Sequence, residues 1–198
     1  MNTRWIKRLA LTGVLAGVLA AGAGRAALAE DFTVVDSKKE LETRVAALLK
    51  TRLNVSSTLN VVGESPEDLR MATRFRPDPE AGTPAIAVYA DTAIMGRDAE
   101  GVKVQVLAFF SVPAVTVPEG RRGEFLEWTN TWNQRLLPSR ILLRENRPMA
   151  LVNATIYARA PMSEDQVLAS FLQSARVWNS ALKSLREAGL VVEDKLAE

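Results

Sequence analysis

Apolar side chains return every three or four residues from Val167 through Phe171, Ala175, Trp178 and Leu182 to Leu185, and that period predicts one long amphipathic helix ending near Gly189. Ser163-Glu-Asp-Gln166 stands ahead of it as a capping box, in which serine and glutamine side chains each accept the other's backbone N–H. Ser37-Lys-Lys-Glu40 is a second such box, before an apolar stripe of Leu41, Val45, Leu48 and Leu49, and predicts a helix over residues 37–51. A third helix, over 120–135, carries Phe125, Trp128 and Trp132 on one face, with Asn130 and Asn133 on the adjoining face near its end. Leu136-Leu137-Pro138 closes it, since a residue before proline is biased away from the helical region.

Between these helices the pattern changes to that of strands. Residues 54–62 are β-prone, and Ala85–Ala90 and Val102–Phe110 read as strands, with a turn at Asp98-Ala-Glu-Gly101 before the second. Ser65-Pro66-Glu67-Asp68 has the composition of a helix start, so a short helical turn is expected ahead of the Arg76-to-Glu80 loop. Prolines 113 and 118 bound a connector to the tryptophan helix. Arg140–Arg144 and Met149–Ala158 then form a hairpin across Glu145-Asn-Arg-Pro148.

The order α-β-β(-β)-α-β-β-α is an α+β plan, an antiparallel sheet covered by helices on one face. The other face must then meet water or another molecule. On the strand ending at Phe110, Val102, Val104, Val106, Ala108 and Phe110 lie on one side, and Lys103, Gln105, Leu107 and Phe109 on the other, so neither side is wholly polar. On the hairpin the presumed outer side carries Met149, Leu151, Asn153, Thr155 and Tyr157. An apolar patch of that extent is a candidate contact site, with Leu151 in it, for a protein partner or a second copy of the chain.

The first 29 residues are set apart as a cleavable secretory signal: a basic start (Arg4, Lys7, Arg8), an apolar run over Leu9–Ala21, and Ala27-Leu28-Ala29 as the cleavage site. The expected mature chain starts at Glu30 and forms one domain over 30–198, exported without a stable membrane anchor. The full chain holds 25 basic and 23 acidic residues; the four basic residues of the signal (with Arg25) leave 21 against 23, so the mature charge is −2 rather than +2. Nucleic acid is therefore not an expected partner. The chain has no Cys and no His, which closes thiol chemistry, histidine triads and the usual zinc hydrolase sites.

The remaining candidates for chemistry are sparse. Ser180-Ala-Leu-Lys183 matches a Ser-x-x-Lys nucleophile pattern, but it falls late in a helix and lacks the Ser-Asp-Asn and Lys-Thr-Gly partners. Asp78 with Glu80, and Asp98 with Glu100, fall short of a calcium loop and read as solvated charge. Arg135, Arg140, Arg144 and Arg147 cluster, and Arg140 and Arg144 share a strand face around Leu142, where they could meet an acidic segment or lipid head groups, or form a solvated face paired with nearby glutamates. Phe125, Trp128 and Trp132 read as packing against the sheet, with Asn130 and Asn133 binding backbone groups left unpaired at the helix end.

From Leu107 to Leu185 the chain resembles the YbjN family, described as bacterial sensory transduction regulators. The resemblance rests on Phe109-Phe110 ending a strand, Trp128 and the Asn130-Thr-Trp132-Asn133 signature, the hairpin from Ile141 to Tyr157, and the closing helix with Phe171 and Trp178. Glu145-Asn146-Arg147-Pro148 departs from the Asp/Asn-Gly type of turn usual at that place. The resemblance implies a fold like that of type III secretion chaperones, and a protein-binding or regulatory role without catalytic residues, cofactor or metal. A small periplasmic hydrolase with an unrecognised site is the alternative.

Overall fold

Ser37 opens the first helix as expected: its hydroxyl accepts the Glu40 N–H at 3.2 Å, and helix α1 runs Lys38–Leu53 to a left-handed Asn54 (φ 53°). These details come from a computed structural model, in which residues 31–65, 69–80, 82–97, 99–135 and 139–194 are described. The expected export signal, the Pro66–Asp68 part of the helix start, Asp98 and the Leu136–Pro138 helix stop lie outside the described residues. After α1 come strands β1 (Thr58–Val61), β2 (Leu69–Phe75), β3 (Ile86–Arg97), β4 (Lys103–Pro113) and the short β5 (Val115–Thr116). A 3-10 turn at Glu119–Arg121 leads into α2 (Arg122–Asn133), and then follow β6 (Arg140–Arg144), β7 (Arg147–Tyr157), α3 (Glu164–Glu187) and β8 (Val192–Glu193).

Among the described residues the plan is α+β with an antiparallel sheet and three helices. Six strands pair in the order β1-β2-β3-β4-β7-β6, and every neighbouring pair is antiparallel. Two strand expectations needed correction. Leu69–Phe75 is a full strand between β1 and β3, directly after the segment whose composition suggested a helix start. The β6–β7 hairpin turns on Glu145 and Asn146 alone, since Arg144 already pairs with Arg147; Glu145 takes the positive φ (58°) that a Gly would supply at no cost. Pro148 is tolerated within β7 because the ladder to β4 begins only at Ala150.

All three helices press on the same set of alternating strand residues. Leu41, Val45 and Leu49 from α1, Phe125 from α2, and Phe171, Trp178 and Leu185 from α3 join one cluster with inward-facing Met71, Val88, Phe109 and Ile141. Each fully buried side chain of this size contributes about 1.5 to 3 kcal/mol. The long helix begins with the complete capping box, Ser163 with Gln166, and ends in a Schellman motif. There Leu190 N–H reaches Leu185 O (2.8 Å) and Gly189 N–H reaches Arg186 O (2.9 Å), with Gly189 at φ 64°. The returning chain then adds β8 to β5.

Several polar residues enter this core with hydrogen-bond partners, while the Thr92 hydroxyl and one Glu42 oxygen are buried without one. Gln105 faces inward on β4 at 1 % exposure; its amide accepts the Val35 N–H (3.0 Å) and donates to the Val35 carbonyl (3.2 Å), tying the N-terminal arm to the sheet. Ser111, also fully buried, accepts the Trp178 indole N–H at 2.7 Å and donates to the Ser174 carbonyl. The arm is held further by Phe32, which exchanges two backbone bonds with Met162 and lies under the Arg44 guanidinium, 4.6 Å from its ring centre.

Candidate functional site

Because side chains alternate along a strand, burying Gln105, Leu107, Phe109 and Ser111 sends Val104, Val106, Ala108, Phe110 and Val112 to the side that none of the described helices covers. The more apolar-looking half of β4 is thus the open half. Its neighbours continue the surface: Tyr89 pairs with Phe110, Phe110 with Leu151, and Leu151 with Arg140, so an apolar row crosses β3, β4 and β7 and stops at an arginine on the edge strand. Leu142, opposite Met149, is 41 % exposed. A hollow of about 280 Å³ opens over Tyr89, Phe110, Val112 and Met149, with Arg70, Arg144, Glu145 and Arg147 around it. A second, of about 240 Å³, shares Tyr89, Val112 and Arg147 and reaches Arg74 and Pro113.

The arginines of this face are not equivalent. Arg70 pairs with Asp91 (3.0 Å), which also receives Lys38 (2.6 Å), and Arg147 pairs with Asp194 (2.8 Å). Arg140 reaches back to the Asn133 carbonyl at 3.3 Å. Arg74 and Arg144 are exposed and have no acidic partner among the described residues. Arg140, Leu142 and Arg144 do share one face of β6, and that face borders the open side of the sheet.

The tryptophan signature sits elsewhere, where α2 packs on β6. Phe125 is fully buried, but Trp128 and Trp132 are only half-buried and stack on each other, with ring centres 4.7 Å apart and planes 19° from parallel. The Trp128 indole N–H donates to the Ser184 hydroxyl of α3 at 3.0 Å. Asn133 binds backbone, though on β6 rather than at the end of its own helix: its side chain accepts the Ile141 N–H (2.7 Å) and donates to the Ile141 carbonyl (2.9 Å). Asn130 is exposed and outside this clamp.

Sequence reasoning missed Glu42. It lies on the buried stripe of α1, three residues before Val45 and seven before Leu49, and the spacing alone places it there. Fully buried, it accepts the Met71 N–H at 2.6 Å. Burial raises its pKa to about 8, against the opposing pull of the Met71 N–H and of Lys38 and Arg70, while Asp91 adds to the rise. Burial also works upward on Asp91, but hydrogen bonds from Lys38 and Arg70 outweigh it and hold that carboxyl below its ordinary value. Glu42 is therefore protonated at neutral pH and walled in between α1 and β2.

The other candidates are dispersed. Ser180 and Lys183 lie on the solvent side of α3, with Lys183 facing Glu187 at 4.0 Å. Asp78 accepts the Glu80 N–H in a loop closed by Asp78 and Thr83, and Glu100 pairs with Arg159. Among the described residues no group of acids gathers as metal ligands would, and no helix is long and apolar enough to cross a membrane. No protein-family model matches this chain, and no curated protein matches it either.

Two outcomes follow from these bonds. Asn133→Ala leaves the Ile141 N–H and carbonyl unpaired in a partly buried place and should cost about 1 to 3 kcal/mol in a urea or thermal melt; an unchanged melt would show that the clamp carries no stability. Glu42 keeps in the folded protein a proton that the unfolded chain releases near its ordinary value of 4.5. Its contribution to stability is therefore full below that value and falls as pH rises toward 8. Glu42→Gln should remove this loss, on the order of a few kcal/mol, so that melts from about pH 5 to about pH 9 decline less than those of the parent. Parallel pH profiles for the two proteins would contradict the assignment.

Proposed function

We propose that this chain is an exported, non-enzymatic protein-binding module of the bacterial envelope, similar to the YbjN family, that holds a partner against the uncovered face of its sheet. The observation that carries the reading is the apolar row Tyr89-Phe110-Leu151 on a face that α1, α2 and α3 leave open. A sheet face of this kind, apolar at its centre and charged at its margin, has the composition of an interface more than of a solvated surface. The plan of three helices on one side of an antiparallel sheet supports the likeness to type III secretion chaperones, and with it a chaperone-like or regulatory role. The alternative of a small periplasmic hydrolase draws on one feature, the raised carboxyl of Glu42, and that group lies enclosed against Met71 rather than in either hollow.

Leu151→Lys tests the reading. It places a charge in the middle of the open face without touching the core, so the melting temperature should stay within a few degrees of the parent. Association with the partner recovered from envelope extract, or with a second copy, should weaken by about tenfold or more. Association unaffected by Leu151→Lys, or steady turnover in a broad ester and peptide screen, would overturn it.

A further inference from the structure

We propose that the trough over β2, β3, β4 and β7 is a site for an acidic, apolar peptide segment. One aliphatic or aromatic side chain would seat over Tyr89, Phe110 and Met149, and neighbouring carboxylates would bind Arg144 and Arg74. The inference rests on the protein-binding reading and adds the chemistry of the partner.

Size is the first argument. The two hollows, about 280 and 240 Å³, share Tyr89, Val112 and Arg147 and so form one trough with two seats. Each is below the roughly 300 to 1,000 Å³ of sites that enclose a whole small molecule, and their adjacency suits alternate side chains of an extended chain, those two residues apart.

Charge is the second. The mature chain is expected to be slightly acidic, yet this face gathers arginines. Asp91 and Asp194 already occupy Arg70 and Arg147, and among the described residues Glu145 is the one acid at the rim of the larger hollow. Arg74 and Arg144, one at each hollow, have exposed guanidinium groups without an acidic partner among the described residues. A guanidinium presents a planar fork that fits a carboxylate with two parallel hydrogen bonds. The same charges disfavour a second copy as occupant, because a two-fold pair across this face would set its arginines against another such set. An occupant carrying acids beside an apolar side chain satisfies both the floor and the rim.

The probe is a fluorescein-labelled heptapeptide Asp-Asp-Phe-Phe-Asp-Asp-Phe, in which each face of an extended chain carries both residue types, titrated into the mature protein and followed by anisotropy. Two controls replace aspartate by lysine or phenylalanine by serine. The acidic, apolar peptide should bind at least about tenfold more tightly than either control, and more weakly as salt is raised. The double variant Arg74→Glu with Arg144→Glu should lose about tenfold or more of that affinity, whereas Leu126→Ser, on the exposed side of α2, should not. Both arginines are exposed, and a thermal melt checks that the double variant folds; if it does not, Arg144→Ala alone should still weaken binding several-fold. Equal affinity for the lysine peptide, or indifference to the arginine substitutions, overturns the proposal. So does binding to phosphatidylglycerol vesicles without binding to the peptide, which would make the face a membrane contact. A partner from envelope extract that depends on Leu151 but not on Arg74 or Arg144 would overturn this inference and leave the broader reading standing.

Discussion

Burial of one face of the sheet under three helices constrains everything else in this protein. Six antiparallel strands expose two faces, and the helices supply apolar stripes for one of them. Met71, Val88, Phe109 and Ile141 meet Leu41, Val45 and Leu49 of α1, together with Phe125, Phe171 and Trp178, in a single core. Once that set faces inward, strand alternation fixes the opposite set outward, whatever its polarity. The half-buried Tyr89-Phe110-Leu151 row on the outer face is thus a geometric consequence of the core. An apolar row left open in this way is the part of the fold that needs a functional explanation.

The inward face also determines which polar groups the core must satisfy. Gln105, Ser111 and Asn133 do the same task at three places, each joining elements that are far apart or meet at an angle: the arm to β4, α3 to β4, and α2 to β6. Buried amides and hydroxyls are tolerable there because their partners are complete. Glu42 is different, since its bond from Met71 serves one oxygen, the other is buried without a partner, and burial raises the carboxyl's pKa to about 8. It links stability to pH without lying in the open face.

How much of this was legible depended on whether the deciding contact was local. The helices were, because a stripe such as Val167 to Leu185 and a capping box such as Ser163 with Gln166 are readable within one stretch of chain. β2 was not. Leu, Arg, Met and Ala favour helix, and only pairing with β1 on one side and β3 on the other makes Leu69–Phe75 a strand. The orientation of β4 was equally hidden: Gln105 and Ser111 argue for exposure until their partners Val35 and Trp178, 70 and 67 residues away, are in place. The signature residues were found in sequence, but the role of Asn133 as a clamp on Ile141 required knowing where β6 lies. Arg140 and Arg144 were read on a common face; the exposed Arg74 on the same side depended on the strand that the sequence concealed.

Thiol accessibility tests the central claim most directly, because the chain has no cysteine of its own. Neighbouring positions on β7 give the comparison: Leu151 on the open face, and Val152, 1 % exposed, beneath the helices. In the mature protein the half-buried Leu151→Cys should react with a small thiol reagent faster than Val152→Cys by about a hundredfold or more. Rapid reaction at Val152→Cys with protection at Leu151→Cys would invert the two faces and contradict this account.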